Sequence, residues 1–169
     1  MITPVLKRSN KTGPRMCEMT VDSLTVDPVT HIPIIILKDK AGRRTLPLWI
    51  GVDEAAAIAR ELDPAIDAYD PSLHDVLARI IGELGASVDA VDVLSVEDNV
   101  FHSVLKVKTA AGSPLKVSAG AGAAIALGMR SGAKIRVAQK VIDQVSRIDL
   151  RAIGVLEQLT EEDFGKWKM

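Results

Sequence analysis

The order of hydrophobic patterns constrains this chain's fold more than any other feature: three strand-like runs followed by a helix, and then the same series again. In the first half, a run over residues 20–27, a continuous branched apolar run over 32–37 and a returning run over 45–50 precede a helix over 53–62. The stripe of that helix is Ala55, Ile58, Ala59 and Leu62. In the second half, runs at about 88–96, 100–109 and 115–118 precede a Gly/Ala-rich helix over 121–130. Pro47-Leu48 recurs as Pro114-Leu115, Ile50 as Val117, and Ala56-Ala57-Ile58-Ala59 as Ala123-Ala124-Ile125-Ala126, all at one constant offset. These patterns predict an α/β chain of the α+β type. Its sheet is mixed and largely antiparallel, with packed helices, in two βββα halves related by a pseudo-two-fold.

Between the halves lies the strongest helical signal. Ser72 follows Pro71 as an N-cap, and Asp75 stands three residues on to close a capping box. Leu73, Val76, Leu77, Ile80, Ile81 and Leu84 keep helical spacing, and Gly85 supplies a left-handed stop. After residue 132 a strand over 134–138 and a helix through Val141, Ile142 and Val145 complete the domain. Residues 1–15 read as a mobile N-terminal arm, because Pro4 and Pro14 flank a polar basic run. Residues 16–148 form the single domain. Residues 149–169, with Leu150, Ile153, Leu156 and Leu159, read as a C-terminal helical tail.

Composition narrows function. The chain is 47% hydrophobic but only 3% aromatic, so its core is branched-aliphatic and it has little surface for base stacking. One cysteine, Cys17, excludes an internal disulfide and a multi-cysteine zinc site. No apolar stretch reaches membrane-span length and the first residues lack an apolar signal core, so the expected compartment is the cytoplasm, with no membrane partner. Net charge is −1, unevenly placed: residues 51–100 carry twelve acids against Arg60 and Arg79. Lys38, Lys40, Arg43 and Arg44 precede that block, and Lys106, Lys108, Lys116, Arg130, Lys134, Arg136 and Lys140 follow it. Such segregation suits a phosphate-attracting face, opposite charges meeting across a subunit contact, or ordinary solvated faces. Segregated charge and edge hairpins also predict a homo-oligomer.

There is no P-loop, zinc-ligand spacing or nucleophile elbow. Gly120-Ala121-Gly122 at a helix start is read as close packing on the sheet or as an anion cradle, although it lacks a third glycine. His74 and Asp75 lie in the first helical turn, off the apolar stripe. A neutral imidazole beside an acid can act as a general base, while capping alone accounts for the acid. Asp53 and Glu54 are likewise first-turn acids that complement the helix dipole or hold a divalent cation.

Several segments resemble one family. Asp27-Pro28-Val29-Thr30, Gly42-Arg43-Arg44-Thr45-Leu46-Pro47-Leu48-Trp49-Ile50-Gly51, Glu54-Ala55-Ala56-Ala57-Ile58, His74-Asp75-Val76-Leu77 and Leu84-Gly85-Ala86 are similar to the bifunctional nuclease family, over roughly residues 19–142. The resemblance implies a phosphodiesterase acting on RNA, DNA or both. Its catalytic residues would be His74, which activates water, Asp75, which orients it, and Glu54. Arg43 and Arg44 would bind the phosphate backbone, and Glu54 or Asp53 would hold a divalent metal such as Mg. One departure stands out: where the family has Asp-Ala-Arg-Pro-Ser-Asp, this chain reads Ser118-Ala119-Gly120-Ala121-Gly122-Ala123. That loses a phosphate-pairing cation and two acids. The alternative expectation is therefore a non-catalytic homo-oligomeric binding or regulatory module that keeps the fold without the site.

Overall fold

A computed structural model describes residues 13–66 and 71–145. In chain order the elements are β1 (Met16–Val26), β2 (Pro33–Asp39), β3 (Thr45–Trp49), α1 (Val52–Leu62), α2 (Leu73–Glu83), β4 (Ser87–Glu97), β5 (Val100–Lys108), β6 (Pro114–Gly120), α3 (Ala121–Arg130), β7 (Lys134–Ala138) and α4 (Gln139–Val145). Seven strands form one sheet in the order β3-β2-β1-β7-β4-β5-β6. Every neighbouring pair is antiparallel except β4 with β7, so the expected mixed, largely antiparallel sheet is present. Each half lays down a three-strand meander and then a helix, with β7 between the meanders. Strand order alone does not establish the expected pseudo-two-fold.

Local chemistry explains most of these elements. The β1–β2 register shifts between Val21 and Ser23, the bulge that the switch of apolar face in β1 requires. In β2, Ile35 and Leu37 belong to the main core, while Ile34 and Ile36 form a smaller cluster with Trp49 on the other face. This two-sided burial is why β2 reads as an unbroken apolar run. Asp98 and Asn99 both have positive φ (49° and 62°), the pair of left-handed residues that a tight hairpin between β4 and β5 demands. The strands β4 and β6 run a residue or two past their sequence-predicted ends, and β2 starts one residue later, at Pro33.

The helices lie against the sheet face that carries Ile35, Leu48, Val91 and Leu105, and α3 is central among them. Ala121 and Ala124 through Gly128 are all buried. A Cβ on Gly128 would stand 2.5 Å from Val91 Cγ2, so a glycine is what lets α3 lie this close to β4. The second helix is packed differently. Its capping box and the left-handed Gly85 (φ +69°) are as predicted, yet none of its residues is buried. Leu73 is 79% exposed, Leu84 70% and Ile80 51%, while only Ala78 and Ile81 pack against the core. Helical period fixes which residues share a face, not whether another element covers it. The predicted tail over 149–169 and most of the predicted arm lie outside the described residues. No described helix is long and apolar enough to cross a membrane.

Candidate functional site

Asp75 sits at the meeting point of three helices. Its Oδ2 accepts hydrogen bonds from the Ser72 amide (2.7 Å) and hydroxyl (2.8 Å), and its own amide donates to Ser72 Oγ at 3.2 Å. Arg130 Nε, from the last turn of α3, reaches Oδ1 at 2.7 Å, and Arg60 Nη1, from the last turn of α1, reaches Oδ2 at 3.4 Å. Arg130 also meets Glu61 Oε1 at 3.5 Å. Burial alone pushes the Asp75 carboxyl up, but the Ser72 hydroxyl and amide, then Arg130 and Arg60, outweigh it and hold it below the usual aspartate range. Asp75 is thus a fixed anion with both oxygens engaged. The side chain of His74, its half-buried neighbour, makes no hydrogen bond among the described residues.

Glu54 lies elsewhere. Gly51 caps α1 without a side-chain hydrogen bond, and the Glu54 carboxylate folds back over it into the space that a Cβ at position 51 would fill. A carboxylate there faces the positive end of the helix. Its Cγ lies 3.4 Å from where a Cβ on Gly122 would be, and Ile50 Cγ2 lies 3.1 Å from the same point. The glycine at 122, one of the positions that depart from the family pattern, is therefore the surface on which Glu54 and Ile50 rest. Close packing accounts for Gly122. Gly120 has open space where its Cβ would be.

Glu54 against Gly122 and Glu61 against Arg130 align α1 and α3 in the same direction. Glu54 then belongs to their N-terminal ends and Asp75 to their C-terminal ends, roughly 10 Å apart along the helix axes. Arg43 and Arg44 are remote from both, in the β2–β3 turn. Their amides donate to Asp39 Oδ1 (2.8 and 3.0 Å), and Arg44 Nη1 donates to Gln139 Oε1 at 3.0 Å. Strand β3 separates them from Glu54 by about 16 Å. Asp53 is exposed. Among the described residues no three His, Cys, Asp or Glu side chains are grouped to hold a metal ion.

Of the candidate catalytic residues, then, the fold joins only His74 and Asp75. Sequence reasoning missed Arg60 and Arg130 as partners of Asp75; the available signal was a cation in the last turn of each of two alanine-rich helices. It also missed the partners of Asp27. Asp27 Oδ1 accepts from the Val29 and Thr30 amides (2.9 and 3.1 Å), and Oδ2 from the Trp49 indole at 3.2 Å. Those two amides, followed by the indole, keep its carboxyl below the usual range. The family-like Asp27-Pro28 and Trp49 segments are thereby joined as scaffold.

The chain matches the model of the bifunctional nuclease domain over residues 35–149 and belongs to that family. Two curated relatives, the uncharacterized proteins MT1877 and Rv1829 from two strains of Mycobacterium tuberculosis, are each 33% identical over 90 residues. The match covers 53% of this chain and 54% of each relative, so the chain spans about half the length of the curated relatives it matches.

Proposed function

We propose that this chain hydrolyses phosphodiester bonds in RNA or DNA, with His74 as the general base. The observation that carries the reading is the contrast within one helical turn: a carboxylate clamped by Ser72, Arg60 and Arg130 beside an imidazole that makes no hydrogen bond among the described residues. Imidazole is chemically suited to taking a proton near neutral pH, whereas an anion held by two guanidinia and a cap is a poor proton acceptor. His74 takes a proton from water, the hydroxide oxygen bonds to phosphorus, and the P–O ester bond breaks as the departing oxygen takes a proton from solvent, to which the His74 imidazolium then returns its own. Asp75 acts as a positioning residue that fixes the first turn of α2 and the guanidinia beside it. Glu54, Arg43 and Arg44 take part through an extended strand, which alone spans their separation.

The test is cleavage of single-stranded and duplex oligonucleotides by the purified chain, with and without divalent cations. His74→Ala should lower the rate about a hundredfold or more. Its melting should be unchanged, since His74 is off the apolar stripe. Wild-type protein that leaves every substrate intact, or a His74→Ala variant that cuts as fast, ends the reading.

A second reading, a non-catalytic homo-oligomeric module, is favoured by the exposed apolar face of α2 and by the Gly-Ala-Gly start of α3 where the family has charged residues. Self-association without cleavage would select it.

A further inference from the structure

The sheet has a second face, turned away from α1, α2 and α3, and its chemistry differs. Register places Lys134 of β7, Ala90 of β4, Lys106 of β5 and Lys116 of β6 side by side on four successive strands. Lys108 follows two positions along β5 and Arg136 two along β7, on the same face. These six residues line an open recess of about 640 Å³. The small side chain of Ala90 leaves its floor low between the lysines.

The ion pairs do not neutralise this surface. Asp92, almost fully buried, accepts from Arg136 Nε at 2.7 Å and from Lys106 Nζ at 2.7 Å, one anion for two cations. Glu18 meets Lys40 at 3.0 Å and Lys134 at 3.9 Å. Asp89, on the rim, accepts from the Ser87 hydroxyl at 3.3 Å. Lys108 and Lys116 have no ion pair among the described residues. Lys106 and Lys116 are directly paired across strands, and like charges in that arrangement destabilise a sheet. Lysines on an edge strand discourage unwanted strand pairing. Lys116 on β6 serves that end, but Lys106 and Lys134 stand on interior strands.

We infer that this open face binds the sugar-phosphate backbone of nucleic acid, at a surface separate from the His74 turn. Four strands at about 4.8 Å spacing span about 14 Å, enough for roughly four consecutive phosphates at one per 3.4 Å of strand axis. The residues lining the recess include no aromatic, so bases are not stacked there and recognition is indifferent to sequence. Binding here does not depend on cleavage.

The experiment measures fluorescence anisotropy of labelled single-stranded and duplex oligonucleotides with the full chain in EDTA. Four neutralised phosphates predict affinity that weakens about a hundredfold between 50 and 200 mM salt. The triple variant Lys108→Ala/Lys116→Ala/Lys134→Ala spares the two partners of Asp92. It should bind about tenfold or more weakly at low salt, with the log–log salt slope reduced by about three and an unaltered thermal melt. Arg79→Ala, which removes an exposed cation from α2, should keep wild-type affinity, and Arg43→Ala/Arg44→Ala separates the contribution of the β2–β3 turn from that of this face. The inference is overturned if wild type does not bind, if the triple variant keeps wild-type affinity and slope, or if only the Arg43/Arg44 variant loses binding. It is equally overturned if the triple variant loses self-association on a sizing column while oligonucleotide binding persists. Binding without cleavage would retire the nuclease reading and leave this one standing.

Discussion

Helices α2 and α3 are of nearly equal length and both lie on the same side of the sheet, yet one is buried and the other is not. The third helix is built from alanine, glycine and a few branched residues, with a stripe that looks weak in sequence, and it fills the centre of the core. The second has a cap, a stop and an unbroken apolar stripe, and all of that stripe but Ile81 faces outward. A good helix and a core helix are thus different properties. The first is set by local signals and the second by what the rest of the chain brings alongside.

The largest effect should come from the core of α3. Ile125, fully buried, when changed to Ala should cost about 3 kcal/mol in chemical denaturation, since it leaves a cavity against the sheet. Gly128→Ala should cost about 2 kcal/mol, because the new methyl collides with Val91. If either variant melts like wild type, α3 is not the centre of the core.

Asp75→Asn is intermediate and couples the two helices. It weakens the cap of α2 and the ion pair with Arg130, at about 1 kcal/mol or somewhat more near neutral pH. The folded-state pKa of Asp75 is lowered, so its contribution is fully present above the ordinary aspartate value of 3.8 and is lost as pH falls through the lower folded value. Urea unfolding of wild type and variant from pH 7 to pH 2 should therefore converge at the acid end. A difference that stays constant across that range would contradict the role given to the carboxylate.

The smallest effect on stability belongs to the outward face of α2. Leu73→Ser with Ile80→Ser should change unfolding by no more than about 0.5 kcal/mol. If the expected self-association uses this face against a second copy, light scattering should show the variant as a monomer where wild type is larger. Wild type that is already a monomer at micromolar concentration removes that expectation.

What was legible in the sequence follows the same division. Ser72 and Asp75 stand three residues apart, and their reciprocal hydrogen bonds could be read without any knowledge of the fold. The arginines on Asp75 come from the ends of two other helices, and no local pattern pairs them. The lysines of β5 are visible as an alternating run, but Lys116 and Lys134 join them only through strand register. Glu54 and His74 resemble family positions equally well, yet the fold puts them at opposite ends of α1, because spacing along a chain does not measure distance between elements.

The insertion of β7 carries a consequence for how the chain is made. It forms the seam between β1 and β4, and Met16 finds its partner only when Ala138 arrives. Until the ribosome has released residues 134–138, the two meanders have unpaired inner edges and no shared hydrogen bonds. Such long-range pairing slows folding and leaves strand edges open to neighbouring chains during synthesis. A nascent chain arrested just before Lys134 should therefore be more sensitive to protease and more prone to aggregate than one arrested after α4 has emerged.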